Sequence, residues 1–195
     1  MSESPFFTAG ILADTHVPDR FNQVSPEILA FFRQTRVNAI LHAGDISSPL
    51  VIEVLKQIAP VHAVRGNRDW AFGRELPLHK ELNLGGVTVG LTHGHGGLWG
   101  YLSGKARYFR YGYDYEFYRS YLPGVFPQAQ VIIFGHTHRP ENRMEGSQLI
   151  FNPGAAYPCH ENGFHVQVGL LRIYPLGRFE AEIIPLSENP PPRAK

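Results

Sequence analysis

Several things are scarce in this chain, and each scarcity closes off a class of protein. Cys159 is the only cysteine among 195 residues, so no internal disulfide can form, which suits a reducing cytoplasm. Neither sign of charge is in surplus. The 18 Lys and Arg face 17 Asp and Glu, a formal net charge of +1. That balance argues against a general nucleic-acid or membrane coat, while leaving local basic patches open. No apolar run approaches the roughly 18 to 20 residues that a membrane helix needs. The first residues, Met1-Ser2-Glu3-Ser4-Pro5, lack both a basic stretch and a long apolar one, so no secretory signal is expected. Ser187 to Lys195 carries Pro190-Pro191-Pro192 and almost nothing to bury, so a frayed, disordered tail is expected over 187–195.

What is present is the composition of an ordinary globular domain, 43% apolar and 18% charged, in a chain long enough for a sizeable core. Histidine stands out, with 10. Gly135-His136-Thr137-His138 follows the apolar run Val131-Ile132-Ile133-Phe134, which has the length and β-branching of a buried strand. Two imidazoles therefore leave a strand end on a Gly-led turn. The same device recurs four times. Phe6 to Ala13 ends at Asp14-Thr15-His16, and Asn38 to His42 precedes Gly44-Asp45. Val61 to Val64 leads into Gly66-Asn67-Arg68-Asp69, and Val87 to Thr92 into His93-Gly94-His95.

Two helices separate the first three strands. Ser25-Pro26 and Ser48-Pro49 each supply an N-cap followed by proline at the first helical position. Behind them Ile28, Leu29 and Phe32, and then Val51, Val54, Leu55 and Ile58, recur at helical spacing. In such β-α-β sheets, polar residues just past the strand ends gather in one crevice. The second half is mostly hairpins. Leu78 to Leu84 pairs with Val87 to Thr92 around Gly85-Gly86, and Glu141 to Met144 with Gln148 to Phe151 around Glu145-Gly146. Val166 to Tyr174 pairs with Arg178 to Ile184. One α/β domain over 1–186 is expected, with two sheets packed face to face and helices outside.

The residues past the strand ends, Asp14, His16, Asp45, Asn67, His93, His136 and His138, are two carboxylates, one amide and four imidazoles. Seven ligands are too many for one tetrahedral ion and suit two, if a carboxylate bridges. Asp45 is the natural bridge, having two oxygens to share. Oxygen and nitrogen donors without thiolate suit Mn, Fe, Co, Ni or Zn.

Asp14-x-His16, Gly44-Asp45, Gly66-Asn67-x-Asp69, His93-Gly94-His95 and Gly135-His136-x-His138, in that order, resemble the motifs of the calcineurin-like metallophosphoesterase superfamily. The short length and Asn152-Pro153-Gly154 resemble most its small YfcE-like phosphodiesterase branch, to which the retromer subunit Vps29 is also similar. The resemblance runs from about Phe6 to Ile184. It implies a four-layer α/β/β/α sandwich of two mixed sheets. It implies one divalent metal held by Asp14, His16 and His138 and another by Asn67, His93 and His136, with Asp45 bridging and manganese the first choice. The reaction implied is hydrolysis of a small-molecule or nucleotide-like phosphodiester by a metal-bridging hydroxide, in the cytoplasm. Two metals about 3.5 to 4 Å apart would clamp the in-line displacement. The alternative is a Vps29-like protein-binding scaffold with little or no catalysis. A nuclease is disfavoured by the near-zero net charge.

The chain departs from that pattern in places. Arg68 stands where many relatives carry a histidine that protonates the leaving group. A guanidinium keeps its proton beyond about pH 12 and can only clamp phosphate oxygens. Substrates with good leaving groups are expected, or a proton from His95, whose other reading is to orient a ligand. Asp69 is expected to orient Asn67 or Arg68, or to cap the next turn. His42 is read as core or as support for the site, His62 as strand packing and His79 as a surface residue. His160 and His165 flank a loop that can approach the site. Ala155 replaces a small hydroxyl residue usual in the branch after Asn-Pro-Gly.

The largest departure is an aromatic-rich insertion at about 98–126. It holds Trp99, Tyr101, Tyr108, Phe109, Tyr111, Tyr113, Tyr115, Phe117, Tyr118 and Tyr121, interleaved with Lys105, Arg107, Arg110 and Arg119. Three readings are open: a lid that stacks a nucleobase or aryl group, a surface for a homo-oligomer, or a helix packing its rings on the core. The last two are preferred.

Overall fold

The computed structural model describes residues 4–69, 73–97, 107–110 and 112–186. Trp99, Tyr101, Lys105, Tyr111 and the Pro-rich tail lie outside them. The strands are β1 (Phe7–Leu12), β2 (Ala39–His42), β3 (Val61–Ala63), β4 (His79–Leu84), β5 (Val87–Thr92), β6 (Val131–Ile133), β7 (Glu141–Glu145), β8 (Gln148–Asn152), β9 (Gln167–Ile173) and β10 (Phe179–Pro185). The helices are α1 (Pro26–Gln34), α2 (Pro49–Lys56) and α3 (Tyr115–Val125).

The two Ser-Pro starts behave as their chemistry requires. Ser25 Oγ accepts from Glu27 N at 3.2 Å and Ser48 Oγ from Leu50 N at 3.3 Å, each satisfying a first-turn amide. Helix α3 begins differently, with Asp114 accepting from Glu116 N at 3.0 Å. Residues 107–110 are also helical.

Two five-stranded mixed sheets result, in the orders β10-β9-β1-β2-β3 and β4-β5-β6-β8-β7. In the first, β1, β2 and β3 run parallel, and in the second so do β5, β6 and β8. The ends of these parallel strands carry the polar motifs. Three apolar clusters separate four layers. Ile11, Leu41, Val89, Leu91, Ile133 and Phe151 pack between the sheets. Ile28, Phe32, Val51, Leu55, Ile40 and Leu170 seal α1 and α2 onto the first sheet. Leu122, Phe126, Ile132, Phe134 and Ile150 seal α3 onto the second. Burying each such side chain contributes about 1.5–3 kcal/mol. This is the expected α/β/β/α sandwich. No helix among the described residues is long and apolar enough to cross a membrane.

Candidate metal centre

The loops that leave β1, β2, β3, β5 and β6 meet at one place, and the backbone stitches them together. Asp14 N–H donates to Gly44 O at 3.0 Å and His16 N–H to Asp45 O at 3.1 Å. Gly66 shows why glycine is needed here: a Cβ on it would lie 2.2 Å from Asp45 Oδ1. Asn152 holds the next loop, its Nδ2 donating to Gly135 O at 2.9 Å and to Thr137 Oγ1 at 3.1 Å. Five donor residues sit in the left-handed region, Asp14, His16, Asp45, His136 and His138, with φ between 49° and 69°. Such conformations cost about 1–3 kcal/mol each and persist only where the surroundings over-determine them.

The seven residues singled out in the sequence converge. Donor atoms of Asp14, His16 and His138 lie within 4.8 Å of one another, and so do those of Asp14, Asp45 and His93. Asp45 faces both ways, with Oδ2 3.8 Å from His16 Nε2 and Oδ1 3.4 Å from His93 Nε2. Asn67 Oδ1 is 3.1 Å from His93 Nε2. The His136 ring centroid is 5.0 Å from that of His93, and its N–H donates to Asp14 Oδ2 at 3.0 Å.

The group fits divalent metal. Asp14 Oδ1 is buried without a well-formed hydrogen bond, 3.4 Å from His138 Nε2. His93 Nδ1 donates to Ala43 O at 2.7 Å, which fixes the tautomer and frees Nε2 to act as a ligand. Burial drives His16 down to about 4, and burial reinforced by His93 drives His136 to about 3, so both offer neutral imidazoles near pH 7. For His93 and His138 burial also opposes charge. Asp45 nevertheless lifts the first to about 9 and Asp14 the second to about 10. Asp14 and Asp45 are likewise held below the ordinary carboxylate range, as His138 and His93 overcome the cost of burial. Positive charge is what these buried carboxylates favour, and a divalent cation would supply it while releasing protons.

The other singled-out residues fare differently. Arg68 donates its backbone N–H to Asp45 Oδ1 at 2.8 Å, and its guanidinium reaches the rim, 3.5 Å from Asp19. Asp69 does something the sequence reading did not anticipate. Its carboxylate accepts from Ile46 N and Ser47 N, both at 2.8 Å, and from Gly66 N at 2.7 Å. It braces the Asp45 loop against the Asn67 loop, and orients neither Asn67 nor Arg68 by a side-chain contact. His95 lies 5.3 Å, ring to ring, from His93 and does not line the cavity described below. His42 is buried, with Nε2 3.2 Å from Thr15 Oγ1. His62 is half-buried beside Lys80, and His79 is exposed, its ring against Phe126.

Sequence reasoning missed Tyr157, Cys159 and Glu161. Tyr157 Oη is 3.1 Å from His138 Nδ1, and the ring packs against both His16 and His138. Donor atoms of Cys159, Glu161 and His138 also cluster. Attention to that loop rested on its histidines, yet His160 is exposed and packs on Phe164.

A cavity of about 360 Å³ opens over the centre. His16, Asp45, Asn67, His136 and His138 line one part of it. Tyr108, Phe109, Tyr113 and Phe117 line another.

Comparison with known proteins agrees with this arrangement. A calcineurin-like phosphoesterase superfamily domain matches residues 7–173. The chain is 35% identical over 146 residues to a probable metallophosphoesterase of Methanothermobacter thermautotrophicus, covering 75% of each. It is 30% identical to another of Methanocaldococcus jannaschii, over 75% of this chain and 66% of that one. In fold it is similar to Vps29 of Entamoeba histolytica crystallised with zinc, at TM-score 0.68 and 22% identity over 93% of this chain and 100% of that one. An archaeal phosphodiesterase aligns at TM-score 0.60 and 21% identity, over 91% and 100%.

Proposed function

The chain belongs to the calcineurin-like phosphoesterase superfamily, and from that premise we propose that it is a phosphodiesterase working with two divalent metal ions. The observation that carries this reading is Asp45, one oxygen turned toward His16 and the other toward His93. In this reading Asp14, His16 and His138 hold one ion, Asn67, His93 and His136 the other, and Asp45 both. When bound, the ions supply Lewis-acid stabilisation of phosphoryl oxygens and a lowered pKa for water.

The chain's own residues do the rest. Ala43 O fixes the His93 tautomer, and the Arg68 N–H pins one oxygen of Asp45. Asn152 holds the loop that presents His136 and His138. The Arg68 guanidinium, at the rim, is placed to bind a non-bridging phosphate oxygen. Among the described residues the cavity lining offers no histidine beyond the three ligands His16, His136 and His138. That supports substrates whose leaving group departs without help from an imidazole acid.

The test is metal content by elemental analysis, followed by hydrolysis of bis(4-nitrophenyl) phosphate with manganese and with chelator. Two ions per chain and chelator-sensitive turnover are expected. Asp45→Asn, which keeps the shape and removes the charge, should cut turnover by more than about 100-fold, since losing even an outlying partner of a metal ligand costs about 10–100-fold. Wild-type turnover in that variant would overturn the assignment. Tight metal binding with no ester turned over would favour a protein-binding scaffold on this fold.

A further inference from the structure

The residues of the 98–126 insertion that fall within the described structure divide by face. Tyr115, Tyr118 and Tyr121 pack on the core beneath α3, and Tyr118 stacks on Phe134, 5.2 Å between centroids, two residues before His136. Tyr108, Phe109, Tyr113 and Phe117 line the cavity over the metal centre, and Tyr118 reaches it as well as the core. That side of the cavity is held in place. Tyr113 Oη donates to Glu141 at 2.8 Å and Tyr115 Oη to Glu145 at 3.2 Å, both on β7. Arg119 joins Glu145 at 2.7 Å. Arg139, just past His138, lies over the Tyr113 ring at 4.9 Å.

Phe117 and Tyr113 already have their faces covered. Arg107 lies over Phe117 at 5.5 Å and Tyr121 stacks on it, while Tyr113 lies between Arg139 and Tyr118. Among the described residues Tyr108 and Phe109 meet only each other, edge to face at 6.5 Å between centroids. They are 54% and 84% exposed, among the most exposed large apolar side chains described, and they open into the same cavity as five donor residues. An open aromatic face beside a phosphate-binding centre has a chemical meaning. A sugar or glycerol phosphate offers hydroxyls, which a ring surface does not satisfy. A planar π-system gains by stacking, largely independent of its hydrogen-bonding edges.

Building on the phosphodiesterase reading, we propose that Tyr108 and Phe109 form a ring-binding subsite, so that the substrate is a phosphodiester with a planar aromatic system on one ester arm, a nucleobase in first place. The cavity has room for both the phosphate and a base.

Binding, not turnover, tests this, so the subsite and the hydrolase can fail separately. Calorimetry would compare adenosine 5′-monophosphate, phenyl phosphate and ribose 5-phosphate on the full chain loaded with manganese. The first should bind about tenfold more tightly than ribose 5-phosphate, the order expected for one stacked base. Phenyl phosphate shows whether the subsite takes a ring placed directly on the ester oxygen or one spaced by a sugar. In Tyr108→Leu/Phe109→Leu, which keeps apolar bulk and removes the π-faces, the preference should fall below about threefold through weaker nucleotide binding. Equal binding of all three ligands by the wild-type chain would overturn the proposal, as would a preference that survives in the variant. A dimer that dissociates in the variant, with no ring preference in either form, would assign these rings to self-association instead.

Discussion

The floor and the wall of the cavity are built on opposite principles. The floor, from Asp14 to His138, is set by the backbone. Its donors sit on strand ends, five of them in left-handed conformations, locked by amide-to-carbonyl bonds and by carboxylates that accept from amides. The wall, from Tyr108 to Phe117, is set by side chains: tyrosine hydroxyls on glutamates, guanidinium groups on rings, and two rings left open. A floor of that kind holds ligand atoms to a fraction of an ångström, as shared ions demand. A wall of that kind can be re-specified by changing a ring without disturbing the metals. The contrast explains how one fold keeps its chemistry while its substrates change.

The largest effect that would sharpen this contrast comes from Asp69→Ala. Three amides, the buried ones of Ile46 and Gly66 and the half-buried one of Ser47, would lose their acceptor at once. An unmet buried donor costs about 1–3 kcal/mol, and water entering the gap would recover part of the total. A net loss of about 2 kcal/mol is expected, read as a fall of about 4–8 °C in thermal midpoint, with weakened metal binding because the Asp45 loop is released. Asp69→Asn should lose less. It keeps an acceptor for Ile46 and Ser47 but turns a donor toward Gly66. An unchanged midpoint in Asp69→Ala would mean that the floor does not depend on this brace.

Tyr113→Phe probes the wall in the same way and should do less. It removes one hydroxyl, and Glu141 keeps Arg143 at 2.8 Å. About 1 kcal/mol is expected, or about 2–4 °C, with metal content unchanged. Loss of metal in this variant would break the comparison, since the two regions would then share their stability.

The floor was far more legible in the sequence than the wall, for a physical reason. A strand that ends in glycine and a ligand repeats a local pattern, and five repeats on parallel-type strands must converge. The fold followed from the same patterns, Ser-Pro helix starts and glycine hairpins. Asp69 escaped because its partners are backbone amides, two of them in a loop 22 and 23 residues away, and amides have no side-chain signature. The left-handed φ of His16 and His138 escaped for a related reason: only a tertiary network makes a non-glycine residue hold it. In the wall, ring after ring reads alike. Which of them face the core is decided by the phase of α3, and that is set by the Asp114 cap. The cap is visible in the sequence but was hidden among the aromatics.

Arg68 belongs to both regions, and so gives the finest test of the boundary. Its N–H serves the floor through Asp45, while its guanidinium stands in the cavity lining with Tyr108 and Phe109. Arg68→Ala keeps the first and deletes the second. Its ion pair with Asp19 is exposed, so stability should not move measurably. If the guanidinium only gathers substrate, KM should rise about threefold while kcat stays within about twofold. A fall in kcat larger than the rise in KM would make Arg68 part of the transition-state charge balance. The floor would then extend to a side chain that water reaches freely, and the boundary between the two regions would have to be redrawn one residue past Asn67.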